Sequence, residues 1–500
     1  MLNIDEVNSL KHIILSGIPL VVIESTEETR VIELLKALAL ALKMPLQGWT
    51  ITRGLKRLDT DNTSITMKDA QEPKKLLHLI QENTRPSIYA LFDFHVHLEN
   101  DYYTQRLLKE VAIANSGQSS KSVIVLVGGE IQLPADIRRY VANFELILPN
   151  HEDLEKLVKQ EAINWARANN GKRVQTDNMT LKRLVDNLRG LNYGDARRLV
   201  RKIIWDDGAI TAEELPKLNK AKFELMDMAG VLSFEYETSH FSQVGGLNKL
   251  KSWVAQREKA FFQDNAAKSL EPPKGLMLVG VQGGGKSLAS KAIAGIWGIP
   301  LLRLDFGALY NKYHGETEKN LREALKMASM MSPCVLWMDE VEKGVASSDS
   351  DGGTSRRVLG TLLTWMSENK EPVFVVATAN DISALPPELI RKGRIDEIFF
   401  VDLPAEEIRE TIFKIHLDKR EIDSTLLELS QLAAASDGFS GAEIEQAIIG
   451  SIYRSVSNNR PVNQEMLLAE LQETRPLSVV MAEQLTELRR WARERTVFAD

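Results

Sequence analysis

The sequence predicts an α/β protein that repeats one plan twice, a parallel sheet flanked by helices and followed by a helical region. Apolar runs of strand length alternate with amphipathic helical stretches in both halves of the chain. Two segments far apart in the sequence also share the same order of residues. A glycine-rich loop, GVQGGGKS, follows a strand of the second half and has no counterpart in the first.

Composition and charge exclude several classes of protein. Five hundred residues with 44% apolar content exceed what one hydrophobic core usually organises, so we expect several domains. The formal net charge of -7 provides no overall basic field, which disfavours a nucleic-acid partner. The first residues lack a leader pattern, and Lys36 and Lys43 interrupt the longest apolar helix candidate, so we expect no membrane insertion. The one cysteine, Cys334, falls in a predicted buried strand and suits a reducing cytoplasm.

The first half is predicted to form a sheet and then helices. The runs PLVVIE, SIYALFDF and SVIVLVGG alternate with helical stretches up to about Pro149. Apolar residues then recur at spacings of three and four, as in KLVKQEAINWARAN and TLKRLVDNLRGL. We therefore predict an α/β domain over 1–150 and a helical, lid-like domain over 151–232.

The second half repeats this order. The apolar runs GLMLVG, PLLRLDF, CVLWMDE and VFVVATAN are separated by helical stretches, and the pattern becomes helical again from about Glu406. We predict a sheet-containing domain over 233–405 and a helical lid with further helices over 406–500.

An internal echo indicates that the two halves are copies. LPADIRRYVANFELILPNHEDLEKLV, from Leu133, parallels LPPELIRKGRIDEIFFVDLPAEEIRETI, from Leu385, and RGLNYGDARRLV later parallels DGFSGAEIEQAI. After its first strand, however, the first copy reads VVIESTEETR, without glycine or lysine and with Glu24, Glu27 and Glu28. Because carboxylates repel a polyphosphate, we predict that the first copy binds no nucleotide.

The loop GVQGGGKS predicts a phosphate-binding site between a strand and a helix. Glycine has no Cβ, so backbone N–H groups can converge on phosphate oxygens. The glycines that meet this demand are Gly280, Gly283, Gly284 and Gly285. Lys286 would bridge the β- and γ-phosphates of ATP, and the Ser287 hydroxyl would hold Mg²⁺. The alternative, a plain flexible turn, is disfavoured by the strand and helix that flank the loop.

Polar residues at the ends of two later strands predict the hydrolytic groups. CVLWMDE ends in Asp339, which can order magnesium through its water shell, and Glu340, which can orient and deprotonate the attacking water. VFVVATAN ends in Asn380, which could fix the same water against the γ-phosphate. A solvated acidic turn after a buried strand is the alternative for the two carboxylates.

Together with ELIRKGRIDEIF and GFSGAEIEQAI, these motifs resemble the AAA+ ATPases, specifically the AAA clade that carries the second region of homology. The resemblance covers about Phe241 to Asp500 and implies a P-loop AAA+ module, a parallel sheet plus a helical lid, preceded by a degenerate AAA+-like region. The layout of the whole chain is similar to uncharacterised AAA proteins of cyanobacteria and red-algal plastids. That closer likeness implies no particular substrate.

The resemblance implies further nucleotide contacts. It puts Val244 and Gly245 against the adenine, His416 of the lid near the adenine and ribose, and Gly441 and Ala442 where the lid meets the nucleotide. A turn before a helix remains the alternative for Val244 and Gly245, and ordinary helix packing remains the alternative for His416. The implied binding set also includes the phosphate loop residues Gly283, Gly284, Gly285, Lys286, Ser287 and Leu288.

The same resemblance identifies Arg391 and Arg394, in IRKGRID, as arginine fingers for the site of a neighbouring subunit. A guanidinium is always charged and forked, so it can bridge γ-phosphate oxygens in the transition state. Catalysis would then require a ring, and the resemblance implies a hexamer. Ordinary surface ion pairing is the alternative for both arginines.

The sequence departs from the family pattern at several positions. Val281 and Gln282 stand where the family loop has prolines, and Ser287 stands where it has threonine. In the first copy, Asp93 aligns with the metal-ordering carboxylate and Phe94 with the catalytic glutamate, which indicates an inactive site.

LYNKYHGETEKNLREAL aligns with the loop that lines the central channel of protein-threading AAA machines. This places Tyr313 and His314 in a substrate channel, where aromatic side chains can grip a polypeptide with little sequence preference. Packing under the following helix is the alternative. His95 and His97 are expected on one face of a strand, but no third ligand with suitable spacing is evident for a metal.

Three functions are consistent with these features. The leading one is an ATP-driven ring that remodels or threads protein substrates or assemblies. A nucleic-acid translocase or loader is disfavoured by the acidic charge. A nucleotide-gated scaffold, which recruits partners through its degenerate first half, is the third.

Overall fold

The computed structural model describes residues 4–59, 66–67, 70–117, 122–211, 214–225, 231–235, 244–262, 270–310, 317–345, 354–381, 385–391 and 393–500. The chain divides into two compact units, Met1–Leu148 and Pro149–Asp500. Each unit is described by itself.

The first unit is a sheet flanked by helices. Its elements are α1 (Ile4–Leu15), β1 (Leu20–Glu24), α2 (Glu28–Leu42), β2 (Leu46–Thr50), β3 (Gly54–Arg57), β4 (Thr66–Met67), α3 (Pro73–Glu82), β5 (Ile88–Phe92), a 3₁₀ helix (Phe94–Leu98), α4 (Tyr102–Asn115), β6 (Val123–Gly128), α5 (Ala135–Arg138) and β7 (Val141–Asn143). The strand order is β4-β3-β2-β5-β6-β1-β7. The neighbours from β2 to β7 are parallel, whereas β3 is antiparallel to β2 and β4 to β3.

The second unit begins with a helical domain. Its elements are α6 (His151–Ala168), β8 (Gln175–Thr176), α7 (Asn178–Asn187), α8 (Tyr193–Asp207), β9 (Ala209–Ile210) and α9 (Glu214–Leu225). One buried apolar cluster, which includes Leu154, Leu184 and Val200, joins these helices. This part of the chain contains four helices and two short strands among its described residues.

A second sheet follows the helical domain. Its elements are β10 (Leu232–Glu235), α10 (Asn248–Phe261), β11 (Gly275–Gly280), α11 (Lys286–Trp297), β12 (Leu301–Leu304), α12 (Phe306–Tyr310), α13 (Thr317–Met330), β13 (Cys334–Met338), α14 (Val341–Val345), α15 (Thr354–Glu368), β14 (Val373–Ala379) and β15 (Glu397–Val401). Strand β10 begins at Leu232, so this sheet starts one residue before the predicted boundary. Two apolar clusters cover the faces of the sheet, one against α11 and the other against α13 and α15.

The two sheets share a core order of strands. The second sheet runs β10-β12-β13-β14-β11-β15-β16, with β10 antiparallel and all other pairs parallel. Its central part, β12-β13-β14-β11-β15, repeats the order β2-β5-β6-β1-β7 of the first sheet. In both sheets, the strand of these five that comes first along the chain, β1 or β11, lies between the two that come last, β6 and β7 or β14 and β15. This supports the predicted duplication.

The lid follows the second sheet. Its elements are α16 (Glu406–Asp418), a 3₁₀ helix (Ser424–Leu426), α17 (Leu429–Ala435), α18 (Gly441–Asn458), α19 (Gln464–Glu473), α20 (Leu477–Val480), α21 (Ala482–Arg495) and β16 (Val497–Phe498). The prediction of helices to Asp500 is wrong at its end, because β16 pairs in parallel with β15. The Phe400 and Phe498 rings lie 5.2 Å apart, and this apolar contact favours the strand over a continued helix.

The echo between the helical regions has a structural basis. Gly190 and Gly438 both have left-handed backbone, with φ of 79° and 78°. Two residues later, Asn192 and Ser440 each cap the N-terminus of a helix, α8 and α18, by accepting a hydrogen bond from the third helical N–H. The matching letters therefore encode the same turn in both copies.

Within the described residues, the helices are all too short or too polar to cross a membrane.

Candidate active site

The glycine loop connects β11 to α11. Gly283 and Gly285 have φ of 76° and 96°, values that L side chains rarely adopt, and a Cβ on Gly283 would lie 2.9 Å from the Ser440 hydroxyl. Gly285 precedes α11 without a side-chain cap on the helix. The first N–H groups of a helix that are not capped this way attract anions, because they also carry the positive end of the helix dipole.

Lys286 is the buried cation of this loop. Its side chain is 7% exposed, and Nζ donates to the carbonyl oxygens of Gly280 and Val281, both at 2.8 Å. Burial lowers the pKa of Lys286 to about 8, although Glu342, Asp339 and Glu340 act in the opposite direction. A buried ammonium held by neutral carbonyl groups is well suited to receive a phosphate.

Thr378 holds both acidic residues that follow β13. Its hydroxyl donates to Oδ1 of Asp339 at 2.7 Å and accepts the backbone N–H of Glu340 at 3.1 Å. On the other side, an Nη atom of Arg303 lies 3.1 Å from Oδ2 of Asp339, and its guanidinium lies over the Trp337 ring at 4.9 Å. The position of Asp339 is therefore determined by two neighbouring strands, β12 and β14.

Glu340 is oriented by residues of β14 and α14. Asn380 donates its side-chain amide to Oε1 at 3.1 Å, and Lys343 lies 2.5 Å from Oε2. The Asn380 backbone N–H donates to the buried Glu342 at 3.0 Å. Glu340 itself has φ of 48°, a left-handed conformation that turns the chain sharply at the end of the strand.

One cavity of about 810 Å³ joins the glycine loop, the acidic residues and the lid. Apart from Gly280, its lining includes the residues predicted from the sequence to contact nucleotide or to act on it from within the same chain: Val244, Gly245, Gly283, Gly284, Gly285, Lys286, Ser287, Leu288, Asp339, Glu340, Asn380, His416, Gly441 and Ala442. Its size lies in the range of small-molecule and cofactor sites. Residues from distant parts of the sequence thus meet around one space.

Three stretches of the chain match AAA families. Residues 276–403 match the ATPase family associated with various cellular activities (AAA), and residues 6–146 and 152–229 match the N-terminal and second domains of SpoVK-like AAA ATPases. The chain is 35% identical over 494 residues to the uncharacterized AAA domain-containing protein ycf46 of Guillardia theta, covering 97% of this chain and 94% of that protein. The chain belongs to the AAA ATPase family.

Other AAA proteins are similar over the whole chain or over part of it. The uncharacterized AAA domain-containing protein ycf46 of Pyropia yezoensis is 35% identical over 97% of this chain and 96% of its own length. The proteasome-activating nucleotidase of Sulfurisphaera tokodaii is 29% identical over 53% of this chain and 69% of its own length. Membership of the AAA family supports nucleotide binding and ATPase activity in general.

Where the lid lines the cavity of about 810 Å³, it contributes apolar side chains such as Ile412 and polar ones such as His416 and Glu445. A Cβ on Gly245 would lie 2.8 Å from Ile412, so the loop and helix α16 are in close contact. Burial lowers the pKa of His416 despite Glu445, whose Oε1 lies 3.4 Å from Nδ1 of the imidazole. Arg420 pairs with the same Glu445 oxygen at 2.7 Å, so the carboxylate is shared and His416 stays neutral at neutral pH.

The donor set at the other end fits a magnesium ion. Ser287 and Asp339 both line the cavity and offer a hydroxyl and a carboxylate, the hard oxygen ligands that Mg²⁺ prefers. Mg²⁺ usually keeps several waters and takes one or two protein oxygens beside substrate phosphates. The described residues hold no cluster of three or more His, Cys, Asp or Glu side chains suited to a metal, so such a site would depend on the nucleotide.

Two predicted residues, Arg391 and Arg394, do not line this cavity. Arg391 is exposed, and Arg394 donates to the Glu388 carbonyl oxygen at 2.6 Å and lines a separate cavity of about 530 Å³. Tyr313 and His314 lie outside the described residues.

Several site residues were missed by the sequence analysis. Thr378, Glu342 and Arg303 contact the acidic groups or Asn380 directly, and Asp500 lines the cavity from the far end of the sequence. A signal existed for Thr378 and Glu342, since both lie two residues from a predicted site residue. None existed for Arg303 or Asp500, whose contacts depend on strand order.

The corresponding edge of the first sheet has different chemistry. Glu24 ends β1, and its Oε1 accepts the backbone N–H of Ile131 at 3.0 Å, so a carboxylate lies at the end of the strand that corresponds to β11. Asp93 has φ of 53° after β5, as Glu340 has 48° after β13. Backbone conformation therefore matches Asp93 with Glu340 and corrects its alignment with Asp339.

The predicted strand position of the first-copy histidines is wrong. His95 and His97 lie in the 3₁₀ helix Phe94–Leu98, because the left-handed Asp93 ends the strand before them. A 3₁₀ helix turns every three residues, so side chains two apart do not share a face as they do in a strand.

Proposed function

We propose that the chain is a magnesium-dependent ATPase that assembles into a hexameric ring and uses hydrolysis to remodel or thread protein substrates. The observation that carries the proposal is the single cavity in which Lys286, Asp339, Glu340 and Asn380 meet the glycine loop. Uncapped helical N–H groups bind phosphate, and Glu340 accepts a proton from water that Asn380 orients.

The roles of the chain's own residues follow from their contacts. Lys286 would exchange its two carbonyl partners for β- and γ-phosphate oxygens, and Ser287 and Asp339 would hold Mg²⁺. When bound, the ion withdraws negative charge from the phosphates. Thr378 contacts the Asp339 carboxylate and the Glu340 backbone N–H, and so fixes both residues. Asp339 would hold Mg²⁺, whereas the Glu340 carboxylate would accept the proton from water.

The proposal of a ring depends on Arg391 and Arg394. Arg391 is exposed and Arg394 lies away from the cavity of its own chain, as expected of groups that act on a neighbour. The name of the nucleotidase from Sulfurisphaera tokodaii, proteasome-activating, supports a protein client. The channel role of Tyr313 and His314 and the cytoplasmic location stay predictions.

We also propose the four-part organisation 1–150, 151–232, 233–405 and 406–500. The break between Leu148 and Pro149 and the family matches over 6–146, 152–229 and 276–403 support it. The strand β16 adds one amendment, since it returns from the last part to the sheet of the third.

Glu340→Gln tests the proposed reaction. The amide keeps the shape and can still contact Asn380 but cannot take a proton, so we expect turnover to fall by roughly 10²-fold or more while ATP still binds. Steady-state phosphate release and equilibrium ATP binding measure the two effects. Glu323→Gln, a partly exposed carboxyl on α13 outside the cavity, is the matched control. Undiminished turnover in Glu340→Gln would refute the role.

A further inference from the structure

The last described residues are bound to the first turn of α10. Strand β16 pairs with β15, and the Ala499 N–H donates to the Phe400 carbonyl oxygen at 2.9 Å. The Ala499 carbonyl oxygen accepts the backbone N–H groups of Lys249 at 2.9 Å and Leu250 at 3.2 Å. Ala499 is 2% exposed, so this junction is a packed part of the fold.

Asp500 continues from this junction into the nucleotide cavity. Its Oδ1 accepts the Asn248 backbone N–H at 3.1 Å, and a Cβ on Gly246 would lie 2.8 Å from Oδ2. Asp500 therefore contacts the same loop that carries Val244 and Gly245 and lines the cavity beside them. The loop is strained, because Leu247 has φ of 59°.

Both charged and apolar side chains surround the exposed Asp500, and the Lys249 ammonium donates to its carbonyl oxygen. Val244, Ile408 and Ile412 also line the cavity, and the Val244 carbonyl oxygen already accepts the Lys251 ammonium at 2.7 Å. A Cβ on Gly246 would also lie 3.0 Å from Ile408, which places Asp500 next to the lid helix. Within the described part of the chain, Oδ1 is used by Asn248 and Oδ2 accepts no hydrogen bond.

Other carboxylates of the cavity have partners of their own. Asp402 is bound by Arg489 at 2.8 Å, and Glu445 is bound by Arg420 at 2.7 Å. Asp418 accepts the Ser424 hydroxyl at 3.0 Å. Asp500 thus offers an anionic acceptor atom to the cavity, beside Gly246 and the lid helix α16.

We propose that Asp500 determines base specificity by accepting a hydrogen bond from the exocyclic amine of adenine. Adenine carries an amino donor where guanine carries a carbonyl acceptor, and an ionised carboxylate can only accept. Guanine would therefore place an acceptor against an acceptor, and sites that leave a polar group unpaired reject the wrong ligand strongly. The inference rests on the proposed nucleotide site.

Asp500→Asn separates base recognition from the structural contact. Asparagine keeps an oxygen for the Asn248 N–H but brings a donor in place of the anionic acceptor. We expect the preference for ADP over GDP to fall by about tenfold or more, mainly through weaker ADP binding, with the thermal midpoint of unfolding unchanged. Isothermal titration of the full chain with ADP and with GDP measures both dissociation constants.

Two further variants complete the experiment. Asp500→Ala should lose both the preference and part of the loop's stability, whereas Asp206→Asn, an exposed carboxylate on α8, should change neither. If the unsubstituted chain prefers ADP and Asp500→Asn keeps the same ratio, the inference is overturned. An equal loss of ADP and GDP binding in Asp500→Asn also overturns it and leaves a purely structural contact. An unsubstituted chain that binds neither nucleotide contradicts the proposed function instead.

Discussion

Lys222 lies on α9 with 1% of its surface exposed, and its Nζ donates to the Arg189 carbonyl oxygen at 2.5 Å. Burial lowers its pKa to about 7, with nearby Cys334 acting to raise it and Arg189 to lower it. Burial raises the pKa of Cys334 itself to about 12, so the thiol is neutral. A lysine with a lowered pKa makes the folded state bind fewer protons than the unfolded state.

We expect this lysine to make stability depend on pH. Between about pH 7 and the ordinary lysine pKa, Lys222 holds a proton in the unfolded chain but not in the folded chain. The free energy of unfolding therefore rises by up to ~1.4 kcal/mol per pH unit in this range. Below pH 7 both states are protonated and the dependence ends. Lys222→Met should remove this lysine's share of the slope and leave the share of Lys286, whose pKa is lowered to about 8; denaturant unfolding between pH 7.5 and 9.5 measures the difference.

The exposed Lys220, on the same helix, provides the control for this measurement. Lys220→Met should keep the pH profile of the unsubstituted chain. Parallel profiles for Lys222→Met and the unsubstituted chain would contradict the assignment of the slope to this buried amine.

Gly190, in the turn between α7 and α8, shows how one element fits against another. Its φ is 79°, and a Cβ there would lie 2.5 Å from the carbonyl oxygen of Met330, the last residue of α13. Arg189 also lies 3.5 Å from Glu371, beside β14. The turn of the helical domain is therefore in direct backbone contact with the second sheet module.

Gly190→Ala should lower the free energy of unfolding of the second unit for two reasons, the left-handed backbone at this position and the clash of the new Cβ with Met330. Gly171 is a matched control, because its φ is 77° and a Cβ there would meet nothing within 4 Å. Gly171→Ala should cost about 1–2 kcal/mol for the left-handed backbone, and Gly190→Ala should cost that amount plus the displacement of α13. Thermal or denaturant unfolding compares the two, and equal costs would show that the contact with Met330 is unimportant.

The chain contains two sheets with the same order of central strands, but the residues at the carboxyl ends of the corresponding strands differ. The second copy has the glycine loop and Lys286, whereas the first ends β1 in Glu24, which is bonded to Ile131. We expect one ATP to bind per chain, and Lys286→Met to abolish binding altogether, because the first copy offers carboxylates to a polyanion. Titration calorimetry gives the stoichiometry. Two nucleotides per chain, or residual binding in Lys286→Met, would contradict an inactive first copy.

Local motifs explain why so much of the site was predictable. The glycine loop, the buried strand and the acidic residues at the end of that strand are each encoded within a few residues. This is because the convergence of backbone N–H groups and the apolar pattern of a strand depend on neighbouring residues. For the same reason the repeated turn at Gly190 and Gly438 could be recognised from letters alone. The errors at His95, His97 and β16 arose where a single left-handed residue or a distant strand decided the local structure.

The sequence by itself determined the fold class, the repeated plan and the identity of most of the polar groups that line the cavity. Only the tertiary structure decided that Arg303 pairs with Asp339, that Thr378 holds both acidic residues, and that Asp500 lines the same cavity. The physical reason is that these contacts depend on which strands are neighbours in the sheet. Strand order is set by packing and hydrogen bonding across the whole domain, and residues close in the chain carry no record of it.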